Sequence, residues 1–133
     1  MVAEVVESWE GDAKSAGWPS WTFENHDAPR AVSRWCAPEH ADRFARVKMT
    51  QHSLALRRSN AALRIGRIEN VVVAGSLLSF DRVAAGQHLR CLFNLSPNPL
   101  KQPSVPAHAA IVASVNGATP QSLPGYSAIY LTL

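Results

Sequence analysis

The sequence predicts an α+β fold, helical in its first half and closing in a small antiparallel β-sandwich or Greek-key sheet. Three observations carry this prediction. Helix-forming residues dominate from Pro38, hydrophobic alternation shifts to period two beyond Leu63, and turn-forming residues divide the second half into short pieces.

The elements follow in order. Residues 1–20 open with an amphipathic stretch over 2–9 and continue through Gly11, Gly17 and Pro19, which reads as a short helix followed by a loop. Residues 21–23, Trp-Thr-Phe, read as a short strand, and Asn25 to Pro29 supply the turn residues that end it. A helix is predicted over 38 to about 49, with Pro38 suited to a first helical position and Glu39 and Asp42 near the positive end of the dipole. Ala41, Phe44, Ala45 and the stem of Lys48 share one face of it. Residues 50–58 can continue helically, but Leu54 and Leu56 are offset from that face, so a single regular amphipathic helix does not fit the whole region and a change is expected near Met49 and Thr50. In the second half, Leu78, Phe80 and Arg82 fall on one phase, as do Leu89, Cys91, Phe93 and Leu95, with a hairpin turn over 84–87 between the two runs. Pro97, Pro99, Pro103 and Pro106 restrict the next stretch to an edge strand or irregular chain, and two further strands are expected over 109–115 and 126–133.

The 133 residues, 47% of them hydrophobic, make about one domain with a modest core. No apolar run approaches the ~18 residues of a membrane span, and the acidic first ten residues lack a leader's basic start. A cytoplasmic location and no membrane contact are therefore expected. Cys36 and Cys91 lie far apart without metal-ligand spacing and read as reduced thiols. His40, His52, His88 and His108 show no paired spacing either, so neither a metal nor a cofactor is expected.

Charge is segregated along the chain. Residues 1–29 carry Glu4, Glu7, Glu10, Asp12, Glu24 and Asp27 against Lys14, a balance of −5, whereas residues 30–67 hold nine basic groups against Glu39 and Asp42, a balance of +7. The basic stretch reads as a solvated helix face with local ion pairs; nucleic acid is a minor alternative, since no aromatic interleaving accompanies the charge. Asn94-Leu95-Ser96 fits a glycosylation sequon, but Pro97 follows it and chance accounts for it.

The adjacent His26 and Asp27 behind the short aromatic strand are the candidate site. On the residues alone, an Asx-type turn with exposed side chains is the plainer reading. The surrounding motif changes that balance. Phe23-Glu24-Asn25-His26-Asp27, with Pro29-Arg30 and Ser33-Arg34, resembles the fourth conserved region of glycoside hydrolase family 13, the alpha-amylase family. Trp18-Pro19-Ser20-Trp21, Leu54-Ala55-Leu56-Arg57-Arg58 with Ala62-Leu63 and Gly66, Leu77-Leu78-Ser79-Phe80, and Leu92-Phe93-Asn94-Leu95-Ser96 are similar to the corresponding parts of its bacterial alpha-glucosidases of the oligo-1,6-glucosidase type.

The resemblance implies a division at about residue 64. Residues 1–64 would be a remnant of the end of a (β/α)8 barrel, holding one short strand and helices, and residues 65–133 the C-terminal all-β domain. It implies Asp27 as the carboxylate that stabilises an oxocarbenium-like transition state, His26 as a hydrogen-bond donor to sugar hydroxyls, and Arg30 beside the same pocket. A retaining glycosidase also needs a nucleophile and a general acid about 5 to 5.5 Å apart. In the family these stand on barrel strands four and five, and neither is found in this sequence. The family's strand eight and a long substrate-side segment are also skipped near Met49 and Thr50, which implies an internal deletion.

The expectation is therefore a truncated alpha-glucosidase-like chain, inactive alone and binding an alpha-glucoside oligosaccharide weakly at most. A stand-alone carbohydrate-binding or accessory β-domain is the alternative. Self-association through exposed apolar surface is expected, because Trp18, Trp21, Phe23 and Trp35 would lose their barrel neighbours.

Overall fold

A five-stranded antiparallel sheet and a two-stranded one, entered through two helices, make up the computed structural model, which describes residues 42–101 and 105–133. Helix α1 spans Asp42–Ser59 and helix α2 Ala61–Ile65. The strands are β1 Arg67–Ala74, β2 Leu77–Ala84, β3 Gln87–Asn94, β4 Leu100–Lys101, β5 Ala110–Val115, β6 Ser122–Leu123 and β7 Ala128–Thr132. The sheet order is β1-β2-β3-β7-β5, with every pairing antiparallel, and β4 pairs with β6.

The expected hairpin over 84–87 forms, with Ala84 opposite Gln87 and Gly86 at φ 76°. That left-handed conformation carries no steric cost for glycine, which is why a two-residue turn closes here. The strands expected over 109–115 and 126–133 are β5 and β7, shortened at their ends. The proline-rich stretch yields only the two residues of β4. Strand β1 and the short β6 were not singled out by the sequence; β1 has a break in register between Glu69 and Val72, which spoils a period-two pattern.

Two sequence expectations require correction. Leu95 does not continue the phase of Leu89, Cys91 and Phe93: β3 ends at Asn94, and Leu95 is exposed. The helix predicted to end at about Met49 continues to Ser59, so the helical continuation that residues 50–58 allow is the one that forms. No proline or glycine occurs in that span, and helix-compatible residues propagate a helix whatever the angular position of their apolar neighbours. The offset shows instead as surface, with Val47, Met49 and Leu54 exposed. The expected helix start at Pro38, the strand over 21–23 and the stretch over 2–9 lie outside the described residues.

One core fills the space between the two sheets. Leu92 on β3 and Ile129 and Leu131 on β7 meet Ala118 and Leu123, and Leu77, Leu100, Val105 and Ala109 pack around them. Each fully buried aliphatic side chain contributes about 1.5 to 3 kcal/mol, so these residues hold the two-stranded layer on the larger sheet. Opposite this core, the sheet carries a second row. Phe80 stacks on Phe93 at 5.6 Å between ring centroids, and Phe93 meets Tyr130 edge-on at 5.8 Å. Strand β3 is thus buried on both faces, through Leu89 and Cys91 on one and Leu92 and Asn94 on the other.

Helix α2 is fastened to the sheet by polar contacts. The Ala62 amide donates to Gln87 Oε1 at 3.0 Å, and Arg82 Nε donates to the Ala62 carbonyl at 3.1 Å. Gly66 then turns the chain into β1 under such crowding that a side chain would run into the Ala62 and Val83 carbonyl oxygens.

Candidate functional site

His26, Asp27 and Arg30, the residues that the sequence marks as a site, lie outside the described residues. Among the described residues, polar side chains converge at two places, and each can be examined for chemistry.

The first is built by the β1–β2–β3 ribbon. Asp81 on β2 stands opposite Arg90 on β3, and the register also brings His88 to the same face. Arg90 donates through Nε to Asp81 Oδ1 at 2.9 Å and through Nη2 to Oδ2 at 3.0 Å, a bidentate pair. Asn70 adds a 2.8 Å bond from Nδ2 to Oδ2. Asn70 reaches it because the irregularity in β1 sets its backbone at φ 53°, a conformation asparagine tolerates better than most residues. His88 Nε2 lies 3.2 Å from Oδ2, close enough for ion pairing but without hydrogen-bonding direction.

Asp81 is almost wholly buried, at 1% exposure. Burial alone would raise its carboxyl, yet the hydrogen bonds from Arg90 and Asn70 and the contact with His88 outweigh that and hold it below the ordinary carboxylate range. Arg90 is raised in turn, chiefly by its bond to Asp81, against the opposing effect of its own burial. A carboxylate whose oxygens are this fully occupied has little capacity left to take a proton from a substrate. The cluster is a clamp that joins three strands.

The second convergence is Asn94, at 1% exposure. Its Nδ2 donates to the carbonyls of Asn98 at 2.7 Å, Pro124 at 2.9 Å and Leu123 at 3.1 Å, while Oδ1 accepts from the Ser96 amide at 3.0 Å and the Ser96 hydroxyl at 2.9 Å. This amide organises the loop after β3 and ties it to β6. It also removes the sequon from consideration in the folded chain, since a buried, engaged amide cannot act as an acceptor.

Two further reactive side chains among the described residues, Cys91 and Tyr130, are equally quiet. Burial pushes the Cys91 thiol up to about 12, so it stays protonated near neutrality and is a poor nucleophile. Burial pushes the Tyr130 phenol up to about 12 as well. Among the described residues no group of three His, Cys, Asp or Glu side chains could hold a metal ion, and no helix is long and apolar enough to cross a membrane.

The Asp81–Arg90 clamp was missed by the sequence reading, although the signal was present. A hairpin turn over 84–87 places position 81 opposite 90 and 83 opposite 88, so opposite charges at 81 and 90 predict a cross-strand pair. No comparable signal announces Asn70, because its position depends on the irregularity in β1.

No family model matches the chain. The sequence is 35% identical over 92 residues to the "probable alpha-glucosidase" of Rhizobium meliloti (strain 1021), a match covering 69% of this chain and 16% of that protein. Among solved structures, the alpha-amylase from H. orenii superimposes with a TM-score of 0.56 at 18% identity, covering 64% of this chain and 20% of that one. A putative alpha amylase from Salmonella typhimurium gives 0.53 at 17% identity, over 71% of this chain and 17% of its own. The isomaltulose synthase of Klebsiella sp. LX3 gives 0.50 at 18% identity, over 77% and 19%. These structures share the fold, while the alpha-glucosidase shares sequence; the chain spans about a sixth of that relative's length. With an antiparallel β-domain behind helices, a sequence likeness to an alpha-glucosidase and that fold in alpha-amylases, the chain belongs to the alpha-amylase family, glycoside hydrolase family 13, of which it represents a part.

Proposed function

We propose that these residues are the closing part of an alpha-glucosidase-like enzyme for alpha-glucosidic bonds, and that the 133-residue chain alone does not hydrolyse them. The observation that carries this reading is the 35% identity over 92 residues with an alpha-glucosidase. Residues 1–64 are assigned to the barrel end and 65–133 to the β-domain. Asp27 is assigned as the transition-state-stabilising carboxylate, with His26 and Arg30 as substrate contacts, on the motif that contains them. A unit whose groups act together loses most of its rate without its nucleophile and general acid. The uninterrupted helix α1 is read as two family helices joined across an internal deletion near Met49 and Thr50. A cytoplasmic location is supported by the free thiol of Cys91.

The test is turnover of 4-nitrophenyl alpha-glucoside by the purified chain. None is expected; measurable turnover that disappears in Asp27→Ala would sink the proposal of inactivity.

A second reading is favoured by one observation, the aromatic row of Phe80, Phe93 and Tyr130 on one sheet face. Sugar rings stack on aromatic faces, so the β-domain would bind carbohydrate without catalysis. Titration with maltose and isomaltose, followed by the ring resonances of Phe93 and Tyr130, decides this. Unchanged resonances at millimolar sugar exclude it.

A further inference from the structure

Helix α1 presents an apolar stripe that the described part of the chain leaves open. Val47 is 40% exposed and Leu54 53% exposed, seven residues apart on the same side of the helix. Gln51, Leu54, Ala55, Arg58 and Ser59 line a shallow groove along that side. The flanks are basic, with Lys48 at one end of the stripe and Arg57 and Arg58 in the last helical turn.

A second copy of α1 is a poor occupant for this groove, since it would bring the same cationic flanks together. The opposite composition stands at the start of this same chain. Val2, Val5, Val6 and Trp9 recur at helical spacing, and Glu4, Glu7 and Glu10 lie between and beside them. Apolar positions match the stripe and carboxylates match its flanks. The connection is long enough: residues 11–41 can extend over roughly 100 Å, against about 27 Å for the whole axis of an 18-residue helix.

We infer that residues 1–10 of this chain dock along α1, with Val5, Val6 and Trp9 on the stripe of Val47, Leu54 and Ala55, and with Glu4, Glu7 or Glu10 beside Lys48 and Arg58. The docking covers the apolar stripe intramolecularly and neutralises part of a strongly basic helix. It requires no substrate and stands apart from hydrolysis.

Carbodiimide coupling of the full chain tests it, because this reagent joins a carboxylate to an amine only when the two touch. Peptide mapping of an equal mixture of 14N- and 15N-labelled chain is expected to show Glu4, Glu7 or Glu10 linked to Lys48 within single isotopic chains. The yield should fall about fivefold in 0.5 M salt, where exposed ion pairs are screened. Leu54→Asp, a change at an exposed position, should abolish the link while leaving the circular dichroism spectrum unchanged. Mixed-isotope links would assign the groove to a second copy and overturn the inference. So would the absence of any link to Lys48, or its persistence in Leu54→Asp.

Discussion

Asp81 and Arg90 face each other across the β2–β3 hairpin and are joined by two parallel hydrogen bonds of 2.9 and 3.0 Å, with the carboxylate at 1% exposure. A pair of this kind stabilises the sheet less by its own attraction than by the cost of separating it. Removing the arginine would leave an anion in a place where water cannot compensate.

Arg90→Ala is accordingly expected to destabilise the chain by about 3 kcal/mol, the lower end of the range for breaking a buried pair, because the arginine side chain is itself partly exposed. Urea denaturation followed by circular dichroism reads this as a fall in midpoint. A change below about 0.5 kcal/mol, typical of surface positions, would show that the clamp is ornamental.

The same carboxyl predicts acid sensitivity. Asp81 is held below its ordinary value in the fold, so the folded state binds its proton less readily than the unfolded chain. Its contribution is therefore complete above the unfolded value near 4 and is lost as pH falls through the folded value. Stability measured between pH 5 and pH 2 should decline less steeply in Asp81→Asn than in the parent chain. Parallel slopes would exclude Asp81 as a source of acid sensitivity.

Much of the β-domain was legible because a short turn fixes a register. Once Gly86 closes the hairpin over 84–87, every facing pair from Leu77 and Asn94 inward follows, including Asp81 with Arg90. Helix α1 was less legible, since apolar periodicity reports on what a helix packs against and not on whether the backbone continues. The shift of phase near Met49 was real, but its consequence is exposed Val47, Met49 and Leu54 on one unbroken helix. Strand β1 was obscured by its own irregularity, and Asn94 by a motif whose three letters say nothing of burial. The assignment of His26, Asp27 and Arg30 as a candidate site rests on a family motif alone, because local pattern does not separate a catalytic His-Asp pair from a turn.

The Cys91 thiol supplies a prediction at the other end of the pH scale. Its value is pushed up to about 12 by burial, and so is that of the Tyr130 phenol. Both favour the protonated form in the fold, so their contribution is full below the unfolded values, near 8.5 and 10, and is lost as pH rises toward 12. At pH 8 the folded chain should leave Cys91 unalkylated by iodoacetamide, with complete reaction in urea. Rapid labelling of the native thiol, located by peptide mapping, would contradict its burial.

Gly66 offers a steric test without charge. A methyl group there would overlap the Ala62 and Val83 carbonyl oxygens, both main-chain atoms that cannot move without shifting α2 or β2. Gly66→Ala should cost about 1 to 3 kcal/mol, the usual range for overpacking a filled site. The loss should be accompanied by increased amide exchange at Ala62, whose hydrogen bond to Gln87 holds the helix on the sheet. Thermal unfolding unchanged in this variant would show that the helix-to-strand junction is looser than its geometry indicates.

Strand β1 carries one part of the described apolar surface that would drive self-association. Among the described residues it is an edge strand paired only with β2, and Val72 and Val73 are 50% and 49% exposed on opposite faces of the ribbon. No charged residue interrupts the run from Asn70 to Ala74, whereas exposed edges are commonly protected by lysine. Light scattering of the purified chain should therefore show mass rising with concentration, and Val73→Lys should restore a smaller, concentration-independent mass. That position is exposed, so the substitution should change stability by no more than about 0.5 kcal/mol. A parent chain that stays monodisperse and monomeric at high concentration removes the proposal of self-association, and an unchanged mass in Val73→Lys removes β1 as its route.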